Sequence, residues 1–331
     1  MEPGARRGGL ALSASADEAC RVLGVDGGGS GVRAAAVGVR DGGVREGGAR
    51  DDGALELAGP LAARSVSPGA DARAWIVAAA DAMTEALEGA TRLRFGMGMP
   101  GRKTDDGRGI AHALHGPVEP RFCELLEEEL RRRGLELDAR CPRLADDGVL
   151  GCSGELLGVD GALRGARDGY FVGGGTGLAE AFVLDGAVVP FERAPRPLER
   201  AWRLADGEST FEERLSVRGI NHRYRRDGGT HEYCEFGLAA GEEVARRVVV
   251  HAVWDLVRLV WLREQALELT FERVVVSQRL ARVLGASAVR PVVEETLAQV
   301  AERGGDERLA ARLVLSSCEH AAVLGAAAEV L

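Results

Sequence analysis

Two glycine-rich segments and a pair of adjacent aspartates are the parts of this sequence whose residue types could do chemistry together. The first segment consists of Asp26, Gly27, Gly28, Gly29 and Ser30, directly after an apolar run. Glycines allow a backbone to approach an anion and to direct N–H groups at it. The hydroxyl of Ser30 could donate to a phosphate oxygen, and the carboxylate of Asp26 could hold Mg²⁺ through water. Taken alone, the segment fits a plain tight hairpin turn equally well.

The first segment fits neither of the two common nucleotide-binding loops. A Rossmann G-x-G-x-x-G turn leads into a helix, whereas here a second apolar run from Arg33 to Val39 follows. A Walker A loop needs a lysine after its last glycine, and Lys103 is the only lysine in the chain. The segment is therefore predicted to be the turn of a β-hairpin.

A second segment repeats this composition about half a chain further on. It consists of Gly173, Gly174, Gly175, Thr176 and Gly177, again between two apolar runs. Two such turns could hold a polyphosphate from opposite sides, with Gly175, Thr176 and Gly177 forming the second binding loop. The pairing favours phosphate binding over two unrelated hairpin turns.

Asp146 and Asp147 lie where a short apolar run meets a helical pattern. A carboxylate at the end of a strand could take the proton from a hydroxyl that attacks a phosphoryl group. Aspartate is also a preferred helix N-cap, and position alone favours that simpler role for either residue. Asp147 is therefore the candidate catalytic base, with helix capping as the alternative.

The remaining pattern predicts an α/β protein built from two similar units. Each glycine turn would join two strands, with Asp26 at the end of the first strand of its unit. Residues 41–53 are predicted to form a loop. The basic run Arg223–Arg226 is predicted to lie in a solvated loop, with contact to phosphate as the alternative. Helical spacing of apolar residues predicts helices over 70–90, 119–134, 240–267, 291–303 and 318–331. Two hairpins with helices between them indicate an internally duplicated architecture.

Length, charge and cysteine spacing argue against several classes of protein. The 331 residues suggest two domains, and the net charge of −9 provides no basic excess for a nucleic-acid partner. No run approaches the roughly 20 apolar residues of a membrane span. The six cysteines form no C-x-x-C pair, which favours reduced thiols in the cytoplasm over a disulfide framework or a zinc ribbon. Residues 1–20 are predicted to be a disordered tail.

Six segments, in order and across nearly the whole chain, resemble motifs of the ROK family of repressors, open reading frames and sugar kinases. VLGVDGGGSGVRAAAVG and GGGTGLAEAFVLDG are similar to its two phosphate motifs, and FGMGMPGRKTDDGRGI to its G-x-G-x-P-G segment. DDGVLGCSGE resembles N-D-A-N-x-x-A-L-G-E, which puts Asp147 at the catalytic aspartate and Glu155 at the terminal glutamate. STFEERLSVRGI resembles the segment with a sugar-binding glutamate, here Glu212, and EHAAVLGAAAEVL resembles the C-terminal helix.

The resemblance implies a two-lobed actin-like ATPase fold (ribonuclease H-like, α/β) with a cleft between the lobes. Residues 21–142 would form the N-terminal lobe and residues 143–317 the larger C-terminal lobe. The helix over 318–331 would pack back on the first lobe. A homodimer is a further expectation from the resemblance.

The resemblance also implies an activity and its residues. ATP and Mg²⁺ would bind between the lobes, and Asp147 would deprotonate a hydroxyl of a sugar-like small molecule. Asp146, Glu155 and Glu212 would contact that substrate. Polyphosphate remains open as the phosphoryl donor in place of ATP.

Several residues depart from the family pattern. Residues 190–211 contain no Cys or His, so no zinc site is expected. Asp146 replaces an asparagine, Glu180 lies among replaced glycines after the second turn, and Gln278 lies among replaced adenosine-loop glycines. These changes keep open a catalytically degenerate sugar-binding or nucleotide-binding sensor. A repressor is the weaker alternative, because only about twenty residues precede the first phosphate motif and they lack helical patterning.

Overall fold

The computed structural model describes residues 20–40, 53–113, 116–303 and 308–331. The predicted N-terminal tail and the predicted loop over 41–53 fall outside these ranges, apart from Cys20 and Gly53.

The described residues of the first half form a seven-stranded sheet with two helices and a separate small hairpin. In chain order the elements are β1 (Arg21–Gly28), β2 (Gly31–Val39), β3 (Leu55–Leu57), β4 (Ala62–Ser65), α1 (Ala72–Ala86), β5 (Arg92–Gly98), β6 (Arg102–Lys103), β7 (Ile110–His112), α2 (Phe122–Arg132), β8 (Glu136–Leu137) and β9 (Leu144–Ala145). The main path of the sheet is β3-β2-β1-β5-β8, with β4 beside β2 and β9 beside β5.

The second half forms a five-stranded sheet of order β12-β11-β10-β15-β16 and most of the helices. Its elements begin with α3 (Asp147–Leu157), β10 (Gly169–Gly174), β11 (Leu178–Leu184), β12 (Ala187–Pro190), β13 (Ala205–Asp206), β14 (Ser209–Thr210), α4 (Phe211–Leu215), α5 (Val217–Arg226) and α6 (Cys234–Ala239). They continue with α7 (Glu243–Leu267), β15 (Arg273–Ser277), α8 (Gln278–Gly285), α9 (Arg290–Glu302), α10 (Leu309–Arg312), β16 (Leu313–Leu315) and α11 (Ala321–Ala328).

The two sheets have the same core arrangement. In each, an antiparallel hairpin closed by a glycine turn is followed by a parallel strand beside its first member: β1–β2 with β5, and β10–β11 with β15. The predicted duplicated α/β architecture is therefore confirmed. The prediction of a loop at Arg223–Arg226 is wrong, because these residues form the last turn of α5.

Each sheet is covered on both faces, which explains why its central strands are buried almost throughout. The first sheet lies between α1 and α11, and the second lies between α3 and the long helix α7. Because α11 also packs on α3, these two helices form the layer that joins the sheets.

Helix α11 approaches the first sheet so closely that only glycine fits beneath it. A Cβ atom on Gly24 of β1 would overlap the carbonyl oxygen of Val323, and one on Gly96 of β5 would overlap that of Ala326. The clash is with helix backbone, so it cannot be relieved by a change of rotamer. The C-terminal helix is thereby fixed on the first sheet.

The substitution Gly96→Ala is expected to destabilise the protein by about 1–3 kcal/mol or more, because α11 must shift away from β5. A fitting control is Gly38→Ala on β2, where the new Cβ would lie 3.4 Å from the Cβ of Ala58, an ordinary contact. Urea unfolding of both variants measures the difference. Equal midpoints for the two variants would contradict the close approach of α11.

Candidate active site

The carboxyl ends of three parallel strands bring two candidate residues to one edge of the first sheet. β1 runs parallel to β5, and β5 runs parallel to β9. Asp26 lies near the end of β1, and Asp147 follows two residues after the end of β9. In the register of the sheet Asp26 pairs with Gly98 and Gly98 pairs with Ala145, so the start of α3 lies beside the end of β1.

Helix α3 starts at this edge and leads directly to the second sheet. A Cβ on Gly148 would lie 2.7 Å from the backbone oxygen of Glu180 on β11, so the first turn of α3 rests on that strand. Glu180 is three residues beyond Gly177, the end of the second glycine turn, which corresponds to about 10 Å of strand. The start of α3, which carries Asp147, therefore lies beside the end of β1 and about 10 Å of strand from the second glycine turn.

The carboxylate of Asp147 does not behave as a helix cap. Its Oδ1 accepts the N–H of the adjacent Gly148 at 2.9 Å, and the N-cap residue Asp146 makes no capping hydrogen bond through its side chain. A capping aspartate instead accepts an N–H two or three residues further along the helix. The described hydrogen bonds therefore remove the support for the capping alternative.

Asp147 is an exposed residue, although neighbouring protein atoms partly desolvate its carboxyl group. This partial desolvation, together with the charges of Asp146 and Asp26, raises the pKa of Asp147. The N–H of Gly148 and the charge of Lys103 act in the opposite direction. A raised pKa suits a general base, whose pKa should approach the working pH.

Asp146 is held between cations from the two halves of the chain. Its Oδ1 lies 3.0 Å from Nζ of Lys103, and its Oδ2 lies 3.9 Å from Nη2 of Arg200. Arg200 also pairs with Glu192 and stacks on the ring of Phe191, with Cζ 4.8 Å from the ring centroid. Sequence reasoning found neither partner.

The first glycine turn presents Gly28, Gly29 and Ser30 at an exposed tip between β1 and β2. Asp26 behind it forms an ion pair with Arg33, which lies directly opposite in the β1–β2 register. The predicted phosphate loop is thus accessible, and its carboxylate already has one cationic neighbour.

The second turn is built around Glu212. Gly175 donates its N–H to the carbonyl of Gly177 at 3.0 Å, and Oε2 of Glu212 accepts the N–H of Leu178 at 2.9 Å. Thr176 lies exposed at the tip. Glu212 therefore supports the turn from within, and its predicted contact with a substrate stays a prediction.

Glu155 lies two turns along α3 and is fully buried, with a relative exposure of 0%. Its Oε2 accepts the N–H of Ala162 at 2.9 Å, and its Oε1 accepts the hydroxyl of Ser277 at 2.8 Å. Burial raises the pKa of this carboxyl. Glu155 ties α3 to the end of β15, and the structure does not bring it to the exposed carboxylate of Asp147.

Glu180 is turned away from the phosphate turns and into the core of the second half. Its Oε1 accepts the hydroxyl of Tyr170 at 2.7 Å and lies 2.8 Å from Nη2 of Arg263. Its Oε2 accepts the N–H of Ala201 at 2.8 Å. Because both side chains of the Glu180–Arg263 pair are at most 3% exposed, this carboxylate does not face a phosphate.

Gln278 lies across the second glycine turn, where the resemblance expects glycines. It adopts a left-handed backbone conformation with φ 60°, which is uncommon for a residue with a side chain. A Cβ on Gly173 would lie 2.7 Å from its carboxamide oxygen. The side chain of Gln278 thus packs against the first glycine of the second turn.

No group of three or more His, Cys, Asp or Glu side chains in the ranges described above is arranged to hold a metal ion. None of the helices in the described part of the chain combines the length and the hydrophobicity that a lipid bilayer requires.

The fold is shared with solved structures over almost the whole chain, although neither protein-family models nor curated protein sequences give a match. A ROK family glucokinase from Streptomyces griseus, in complex with glucose and AMPPNP, aligns with a TM-score of 0.64 and 17% identity, covering 93% of this chain and 98% of that one. An inorganic polyphosphate/ATP-glucomannokinase from an Arthrobacter species aligns with a TM-score of 0.59 and 16% identity, covering 94% and 98%.

A ROK family transcriptional regulator, a homologue of the Escherichia coli MLC protein, also aligns, with a TM-score of 0.59 and 12% identity. The alignment covers 94% of this chain and 79% of that regulator. At these identities the likeness concerns the fold, which sugar kinases and regulators share. The chain therefore has the two-lobed actin-like ATPase fold of ROK proteins, as the sequence resemblance implied.

Proposed function

We propose that this protein is a kinase that transfers the γ-phosphoryl group of ATP to a hydroxyl of a sugar or sugar-like small molecule. The observation that carries this proposal is the position of Asp147: an exposed carboxylate without a capping bond, at the start of a helix that begins beside the end of β1 and rests on β11. The sugar kinases of the same fold, one of them in complex with glucose and AMPPNP, support the choice of substrate class.

The proposed roles follow from the chemistry of each group. Asp147 would accept the proton of the attacking hydroxyl as the phosphoryl group is transferred. The backbone N–H groups of the turns, with the hydroxyls of Ser30 and Thr176, would hold the phosphates. Asp146, with its two cationic neighbours, would orient the acceptor or its own neighbour Asp147.

Mg²⁺ fits the oxygen donors at this edge of the sheet. Magnesium is usually bound through one or two carboxylates, water and the substrate's phosphates, without an all-protein cage. Asp26 is the residue proposed to hold it through water, and the ion would neutralise charge on the phosphates. Arg33 would then share or release the carboxylate oxygen with which it pairs.

A second candidate function is a sugar or nucleotide sensor without turnover. Its support is Gln278, whose side chain lies on the second turn, and Glu155, whose oxygens already have protein partners. Gln278 stands where the family pattern has a glycine. The oxygens of Glu155 already accept hydrogen bonds from Ala162 and Ser277 and are therefore not free for a substrate.

The two functions differ in a direct assay. We expect ATP with Mg²⁺ to raise the melting temperature, since ligand at 100 times Kd stabilises by about 2.7 kcal/mol. We also expect phosphorylated product from at least one member of a panel of hexoses, amino sugars and polyols, with ATP and polyphosphate compared as donors. Stabilisation by ATP without product from any acceptor would favour the sensor over the kinase.

A further inference from the structure

All three hydrogen-bond donors of the Lys103 ammonium group are used within the protein. Its ammonium group donates to the carbonyl oxygens of Met99 and Gly101, both at 2.7 Å, and to Oδ1 of Asp146 at 3.0 Å. The side chain is only 14% exposed. An ammonium group has three donors, so none is left for a ligand.

The residue type is informative at this position. Of the 42 Lys and Arg residues in the chain, Lys103 alone is a lysine. A tetrahedral ammonium can donate to two carbonyls and a carboxylate in three directions, whereas a guanidinium donates within one plane. The contacts of Lys103 therefore require a lysine in a chain that otherwise uses arginine.

These contacts join the segment after β5 to the start of α3. Met99 and Gly101 belong to the first half of the chain, and Asp146 is covalently adjacent to Asp147. The other oxygen of Asp146 faces Arg200, whose contact at 3.9 Å is longer than that of Lys103. The ammonium is thus the closest cation that fixes the residue next to the candidate base.

We infer that Lys103 is a positioning residue for phosphoryl transfer, which holds Asp146 against the Met99–Gly101 segment and thereby orients the carboxylate of Asp147. This inference rests on the proposed function. It assigns to Lys103 no contact with substrate or nucleotide, because its donors are already used.

The charges at the site agree with this role. Asp26, Asp146 and Asp147 place three carboxylates at one edge of the sheet, and each of the first two raises the pKa of Asp147. Lys103 counteracts this effect. Without the ammonium, Asp146 would lose its closest partner and Asp147 would face less balanced negative charge.

The substitution Lys103→Met is expected to lower kcat by roughly 10- to 100-fold, since a misplacement of about 1 Å can cost that much. KM for ATP should change by less than about 2-fold, because no nucleotide contact is removed. Lys103→Arg should not restore kcat, because a planar group cannot reproduce the three bonds. Arg102→Met, at the exposed neighbouring residue of β6, is the matched control and should retain wild-type kcat.

A second measurement does not depend on turnover or on the folding of a Lys103 variant. Apart from the α-amino group, Lys103 is the only primary amine, so its acetylation by an N-hydroxysuccinimide ester can be followed by peptide mass. We expect slow acetylation in the wild type and acceleration of about 10-fold or more in Asp146→Asn, because a charge-assisted bond is lost.

The possible outcomes distinguish the positioning role of Lys103 from the proposed kinase activity. A wild type that phosphorylates an acceptor while Lys103→Met keeps full kcat overturns the positioning role alone. Acetylation of Lys103 that is as fast in the wild type as in Asp146→Asn shows that the ion pair is absent, and it also overturns the role. A wild type without turnover on any acceptor contradicts the proposed kinase, whatever the acetylation rates.

Discussion

Asp147→Asn is expected to lower turnover by about 10²- to 10⁴-fold while nucleotide binding is retained. The amide keeps the size of the carboxylate but cannot accept the proton of the attacking hydroxyl, and general base catalysis contributes a factor of this order. The measurements are kcat with saturating ATP, Mg²⁺ and acceptor, and nucleotide affinity by calorimetry. An Asp147→Asn protein with full turnover would remove the base from the proposed mechanism.

The same substitution is expected to raise the melting temperature near neutral pH. The pKa of Asp147 is raised in the folded protein, chiefly by desolvation and then by Asp146 and Asp26. The folded state therefore binds its proton more tightly than the unfolded chain, whose ordinary pKa is about 3.9. Stability is lost as pH rises from that value through the folded pKa, and an asparagine avoids this loss. The gain should vanish at pH values below about 3.9.

Helix capping predicts the opposite change in stability, so a true cap in the same chain provides the control. Asp71 is the N-cap of α1, and its Oδ1 accepts the N–H of Ala74 at 2.9 Å. Asp71→Ala should cost about 0.5–2 kcal/mol. Asp147→Ala should cost nothing or stabilise. Loss of stability in both alanine variants would restore the capping interpretation of Asp147.

The fold could be predicted because its strongest signals are local. Each glycine turn lies between two apolar runs, and the helices over 72–86 and 243–267 have a clear apolar spacing. Edge strands such as β8 and β9 are two residues long and have no pattern of their own. The basic run Arg223–Arg226 was misassigned because its partner Asp255 comes from α7, some thirty residues away.

Residues of the candidate site could be proposed from the sequence only where the residue type itself suggests a role. Asp147 and the turn glycines were visible from local spacing, whereas the contact of Lys103 with Asp146 spans 43 positions. Glu180 is a clearer example, because its sequence neighbours suggest a phosphate loop. The Glu180 side chain instead points to Arg263, 83 positions further along the chain. No local sequence pattern reveals this partner.

Arg263→Met is expected to destabilise the protein by about 3–5 kcal/mol. The side chains of Arg263 and Glu180 are 3% and 1% exposed, and removal of the cation would leave a buried carboxylate without its partner. Methionine keeps the apolar stem, so the loss would come mainly from the charge. Urea unfolding at neutral pH measures it, and Arg290→Met is the control. Arg290 pairs with Glu294 at the surface, where a salt bridge contributes about 0–1 kcal/mol.

A double-mutant cycle separates the ion pair from lost packing. Glu180→Gln alone should also destabilise, because Arg263 would then be buried with a neutral partner. The double variant Glu180→Gln with Arg263→Met should be less destabilised than the sum of the single variants, with a coupling of about 0.5–3 kcal/mol. Additive losses would mean that the two side chains do not interact in solution.

The Arg263 substitution should also lower turnover, although Arg263 is buried in the core of the second half of the chain. Glu180 lies on the part of β11 that supports Gly148, and its other oxygen accepts the N–H of Ala201. Ala201 follows Arg200, the cation that faces Asp146 from the second half of the chain. Loss of the buried Glu180–Arg263 pair would therefore loosen the part of β11 on which the first turn of α3 rests. It would also loosen the segment that carries Arg200. Measured well below its melting temperature, Arg263→Met should show reduced kcat, while Arg290→Met should match the wild type.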